Sequence, residues 1–77
     1  MAELSNTVKR GILQQNIDAL DQRLYDVAVN KRVCEAVGDG KGLEAATKRY
    51  DEIDRKRRAY KEILDEIPAP PAPDGEQ

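Results

Sequence analysis

The sequence has no histidine, no phenylalanine and no tryptophan, and it has a single cysteine. Each absence removes a class of protein. Without histidine, the commonest general base and the commonest metal ligand are both missing. With Cys34 alone there is neither an intramolecular disulfide nor a thiolate cluster to hold a metal. Aromatic residues make up only 4% of the chain, all of them tyrosine, and the β-branched and aromatic runs that favour strands are missing. No apolar run approaches the roughly 20 residues needed to cross a bilayer. The opening MAELSNTVKR lacks the basic start and apolar core of a secretory leader. These gaps predict a cytoplasmic protein without cofactor or metal, and a lone thiol suits a reducing compartment.

Seventy-seven residues allow one small domain. Hydrophobic residues are 39% of the chain and charged ones 36%. Leu, Ala, Glu, Lys, Arg and Gln, the better helix formers, dominate, so the fold class is all-α. From Ser5 to Val37 there is no proline and only one glycine, Gly11. Ser5, Asn6 or Thr7 can cap the first free amides, and Gly38 suits the left-handed residue that closes a helix. The first helix is therefore expected over about 5–37, a turn over 38–42 and a second helix over about 43–67. The second helix should stop before Pro68, because the residue preceding a proline is biased out of the helical region. The two rods would be roughly 48 and 37 Å long.

The second helix carries one stripe at alternating steps of three and four: Leu43, Ala46, Tyr50, Ile53, Arg57, Tyr60, Leu64, Ile67. The first repeats the rhythm in Leu13, Ile17, Leu20, Leu24, Val27, Lys31, Cys34. This is the a/d spacing of a coiled coil. Folding at the glycines sets Leu13 against Leu64, Ile17 against Tyr60, Leu20 against Arg57, Leu24 against Ile53, Val27 against Tyr50 and Cys34 against Leu43. Core positions face core positions throughout, which predicts an antiparallel two-helix hairpin, a helical coiled-coil hairpin. Two charges interrupt the seam. Lys31, opposite Ala46, can lay its alkyl stem over the small residue and lift its ammonium to water. Arg57 can do the same, with Asp21 and Asp54 as carboxylate neighbours.

The stretch VGDGKGLEAA, residues 37–46, has a faint look of a phosphate loop. A P-loop reads GxxxxGK[ST], follows a strand and needs its hydroxyl for magnesium. Here the spacing is wrong, no strand precedes it and the hydroxyl is missing. Asp39 is also too few ligands for calcium. Glycines with Asp are what a tight reversal between helices needs. The tail PAPPAPDGEQ, residues 68–77, reads as a mobile polyproline-type extension. Its two PxxP spacings lack the flanking basic residue that SH3 ligands usually carry.

The outer face of the second helix is charged, with Glu44–Lys48, Asp51–Arg55 and Asp54–Arg58 at i, i+4 and the acid first, the favoured orientation. The first helix differs. Away from the seam it carries a second stripe: Val8, Ile12, Gln15, Ala19, Gln22, Asp26, Val29, Val33, Ala36. A helix apolar on two sides is normally buried on two sides, and one partner helix covers only one of them. The expected completion is a homodimer, first helix on first helix, forming a four-helix bundle. Gln15, Gln22 and Asp26 would set its register, as buried polar residues do in coiled coils.

Function is read from that second stripe: a non-enzymatic protein–protein interaction module such as an adaptor, inhibitor, chaperone or assembly accessory. Tyr25, Tyr50, Tyr60 and Cys34 are the remaining reactive side chains, and no base lies within reach of them in the pattern. The alternative is a nucleic-acid-binding hairpin dimer using Lys41, Lys48, Arg55 and Arg58 as phosphate contacts. Acids interleave with those bases, and the net charge of −2 makes nucleic acid the weaker partner.

Overall fold

The computed structural model describes residues 4–69. Two helices, α1 (Asn6–Val37) and α2 (Gly40–Glu66), pack side by side as an antiparallel hairpin. Ser5 is the N-cap of α1, its hydroxyl accepting from the Val8 amide at 3.1 Å. The expected stripes form the seam. Ile17, Leu20, Val27 and Cys34 are buried from α1, and Ala46, Ile53 and Leu64 from α2. Leu20, Val27, Ala46 and Ile53 make a continuous core, with Leu24 and Tyr60 packed against it. The other seam residues are half-buried, apart from Tyr50, which stays exposed.

The reversal is shorter than expected. The expected turn over 38–42 and helix start near residue 43 give way to a link of only Gly38 and Asp39. Gly38 adopts the left-handed conformation, with φ of 73°. Its amide donates to the Glu35 carbonyl at 3.3 Å, and the Asp39 amide donates to the Cys34 carbonyl at 2.8 Å. That pair of bonds satisfies the last carbonyls of α1 in the Schellman manner. The next residue then starts the following helix, for the Asp39 carboxylate accepts from the Gly42 amide at 2.9 Å as N-cap. Glycine is a poor helix former, which is why its positions read as turn. Here Gly42 lies inside the first turn of α2, in close contact with side chains from both sides of the link. A Cβ at that position would collide with the Asp39 carboxylate and lie 2.9 Å from Cys34 Sγ.

The far end of the hairpin is held by Arg10. Its Nη1 donates to the carbonyls of Leu64 at 3.1 Å and Ile67 at 2.6 Å. The Leu64 carbonyl, which also accepts from the Ile67 amide at 3.1 Å, and the carbonyl of Ile67, the C-cap, lie at the end of α2, where a cation also suits the helix dipole. The seam charges resolve in two ways. Arg57 crosses to Asp21, by a hydrogen bond and ion pair, while Asp54 pairs with Arg58 on its own helix. The hydrogen bond from Arg57 to Asp21, and then the carboxylate's charge, raise a guanidinium pKa that is already very high, so Arg57 stays charged. Lys31 places its ammonium 5.6 Å from the centre of the Tyr50 ring, a cation–π contact. Of the proline-rich tail expected over 68–77, residues 70–77 lie outside the described residues.

Candidate functional site

The outer face of α1 stands on the side of the helix away from α2. Val8, Ile12, Gln15, Ala19, Gln22, Asp26, Val29, Val33 and Ala36 are all exposed. The four branched residues among them keep between 41 and 52% of their surface open. One unbroken helix carries this line, so the rigid backbone of α1 presents it as a single straight ridge. The seam and the outer stripe are about 150° apart around the helix axis, as heptad geometry requires for stripes offset in this way.

One residue that continues this line did not figure in the sequence reading. Val37, 71% exposed, lies one step of four after Val33. Its spacing was the signal, but a residue at the last helical position reads as a helix end rather than as face. Leu4, 55% exposed, precedes the extended N-cap Ser5 and stands outside the helix. The line is apolar at both ends (Val8, Ile12, then Val29, Val33, Val37) and mostly polar in the middle. At its C-terminal half the ridge borders a shallow open groove, lined by Asp26, Val27, Val29, Asn30, Val33 and, from α2, Arg49.

The outer face of α2 is charged and partly paired within itself, with Ile63 the large apolar side chain exposed there, at 48%. Arg55 Nε pairs with Asp51 at 3.0 Å, Arg58 Nη2 with Asp54 at 2.9 Å, and Lys61 Nζ with Asp65 at 3.0 Å. Glu44 and Lys48, expected to form the first rung, do not close a pair. Two of the four side chains in the alternative basic strip, Arg55 and Arg58, are thus already held by carboxylates, leaving Lys41 and Lys48 exposed beside the turn. Exposed pairs of this kind are weak, but they lower the positive potential a phosphate would meet.

At the glycine turn, one of the first-turn amides an incoming anion would use, that of Gly42, already donates to the Asp39 carboxylate. A negative side chain thus sits where a phosphate would need to be, which is the physical answer to the resemblance of this stretch to a phosphate loop. Cys34 is buried beside it. Tyr60 packs on the core, Tyr50 lies under Lys31, and Tyr25 projects from α1 at 74% exposure. These side chains are not gathered at one place. Among the described residues no group of three or more Cys, Asp or Glu is placed to hold a metal ion, and no helix is long and apolar enough to cross a membrane.

The arrangement defines a class by architecture alone: a two-helix hairpin that buries one face of each helix and leaves a second, largely apolar face open on one of them. No protein-family model matches the chain, and neither the curated proteins nor the solved structures compared with it give a match.

Proposed function

We propose that this chain is a non-enzymatic protein-interaction module that works in the cytoplasm through the outer face of α1. One observation carries the reading: exposed branched residues stand at both ends of one face of a rigid helix, Val8 and Ile12 at one and Val29 and Val33 at the other, while the opposite face is already buried in the seam. Scattered surface apolar residues are ordinary, but a straight ridge of them at helical spacing is the form a helix takes when a second surface covers it. The charged exterior of α2, laced by i, i+4 ion pairs, serves as the solvated side. A lone buried thiol fits a reducing compartment.

The test is site-specific photocrosslinking of the full chain in cells, with benzoylphenylalanine at Gln22 on the ridge or at Glu62 on the exterior of α2. The expected result is a protein adduct from position 22, lost when the same chain carries Val29→Asp, and none from position 62. Adducts from position 62 alone, or none from position 22, would overturn the reading. RNA or DNA binding that weakens steeply with salt and depends on Lys41 and Lys48 would do so in favour of the basic strip.

A further inference from the structure

We infer that the outer face of α1 recognises itself, pairing antiparallel with the same face of a second copy about a two-fold axis between Leu20 and Asp21. The inference rests on the interaction-module reading and adds the identity of the partner. Its basis is that the exposed line reads sensibly against its own reverse. Two identical stripes of this spacing, laid antiparallel with one position type facing the other as in the intramolecular seam, meet in a small set of registers. In one of them Val8 of one copy falls against Val33 of the other and Ile12 against Val29. All four side chains are exposed in the hairpin.

The polar middle of the line is matched in the same register. Gln15 faces Asp26 of the other copy and donates its amide to the carboxylate, while Ala19 gives way to Gln22. On the flanks Asp18 comes beside Tyr25, whose hydroxyl donates to it, and Arg23 comes beside Asn16. No like charges are forced together.

The competing arrangements fail on named pairs. Sliding one copy by a heptad in one direction sets Val8 on Asp26 and Ile12 on Gln22. Sliding it the other way sets Val33 on Gln15 and leaves Val8 beyond the end of the partner helix. A parallel pairing sets Asp26 on Asp26, two carboxylates sharing an apolar seam, which costs both repulsion and desolvation. A polar centre between apolar ends is thus a register device, the role best attested for polar residues in coiled-coil seams. The groove bordered by Val29, Val33 and Arg49 is where Val8 and Ile12 of the other copy arrive.

The two stripes of α1 lie nearly opposite each other, so the assembly is not a square bundle. It is a row of four helices with the two copies of α1 inside and α2 outside on either flank. Each α1 is then buried on two sides, as its sequence demands.

Light scattering of the purified full chain after size exclusion, over a hundredfold range of concentration, tests this directly. The expected mass is twice 8.6 kDa. Val29→Asp should weaken the dimer by about a hundredfold or more, since it buries an unpaired charge at two symmetric places. That variant should stay helical by circular dichroism because Val29 is off the seam. Register is read by oxidising single-cysteine chains in a Cys34→Ala background. Val8→Cys mixed with Val33→Cys should give a disulfide-linked heterodimer, and neither variant alone should link efficiently.

A monomer at every concentration, helical or unfolded, overturns the inference, as does a dimer indifferent to Val29→Asp. Efficient self-linking of Val8→Cys would show a parallel pairing and overturn it too. A purified monomer whose position 22 still crosslinks to another protein in cells would sink self-recognition and leave the interaction module standing. Failure of both experiments would remove both.

Discussion

The two helices are alike where they meet and unlike where they do not. Each contributes a stripe at steps of three and four to the seam, and each stripe is interrupted by a charge that finds a partner across it: Lys31 over Tyr50, Arg57 on Asp21. Outside the seam, α2 turns ladders of acid and base toward water. The outer face of α1 instead presents Val8, Ile12, Val29 and Val33. The lesson is that amphipathicity counts faces as well as measuring them. A helix with one apolar face is satisfied by one neighbour, and α1 has two such faces with only one of them covered by α2.

Substitutions that follow this comparison should fall in a definite order. The largest effect is expected where the helices are alike. Ile53→Ala opens a cavity in the shared core, and urea denaturation should find the hairpin less stable by about 2–4 kcal/mol. A loss as small as that of an exterior change would mean the seam is not what holds the helices together. Next comes the joint between them. Gly42→Ala pushes a methyl into the Asp39 cap and Cys34, with an expected loss of about 1–2 kcal/mol. In the Asp39→Ala background the same substitution should cost less, because half of the clash is gone; additive losses would show that the cap and the glycine act separately.

The clamp at the open end should matter less. Arg10→Ala removes two hydrogen bonds to the last carbonyls of α2 and a cation at its C-terminus, worth about 1 kcal/mol. Hydrogen exchange should localise the loosening to the last turn of α2, and uniform loosening would contradict the clamp. The smallest effect belongs where the helices differ. Arg55→Ala on the exterior of α2 should change the thermal midpoint hardly at all, corresponding to about 0.3–0.5 kcal/mol. If it weakened the protein as much as Ile53→Ala, the α2 exterior would be an interface, and the contrast between the two outer faces would collapse.

Most of the hairpin was legible because its determinants are local or periodic. A cap among Ser5, Asn6 and Thr7, Gly38 as the left-handed stop and the matched stripes each follow from one helix read along its own length, or from two read against each other. Arg57 was legible as a seam charge with Asp21 or Asp54 beside it, and the structure pairs it with Asp21. What escaped reading involved atoms that sequence spacing does not place. Arg10 extends the α1 stripe by one step and stands opposite Ile67, so its position was available. That its guanidinium would turn to backbone carbonyls at the close of α2 depends on where that helix ends. Lys31 was expected to lift its ammonium into water over Ala46, yet the nearby Tyr50 face attracts it instead. Asp54 was a candidate for both Arg57 and Arg58, and it is the expected i, i+4 pair with Arg58 that forms.

The sequence by itself determined that the chain is all-α, that it reverses once at the glycines, and which face of each helix meets the other. Those properties reside in propensity, capping and period, which act within a few residues. Tertiary structure alone decided how tight the reversal is. One aspartate follows the stop of α1 and caps α2, and Cys34, Asp39 and Gly42 come so close there that a Cβ on Gly42 would force the cap to shift. It alone also decided where two charges at the seam go: Arg10 to the carbonyls of Leu64 and Ile67, and Lys31 to the Tyr50 ring. Those contacts depend on where α2 ends and which way each long side chain turns, and spacing along one helix fixes neither.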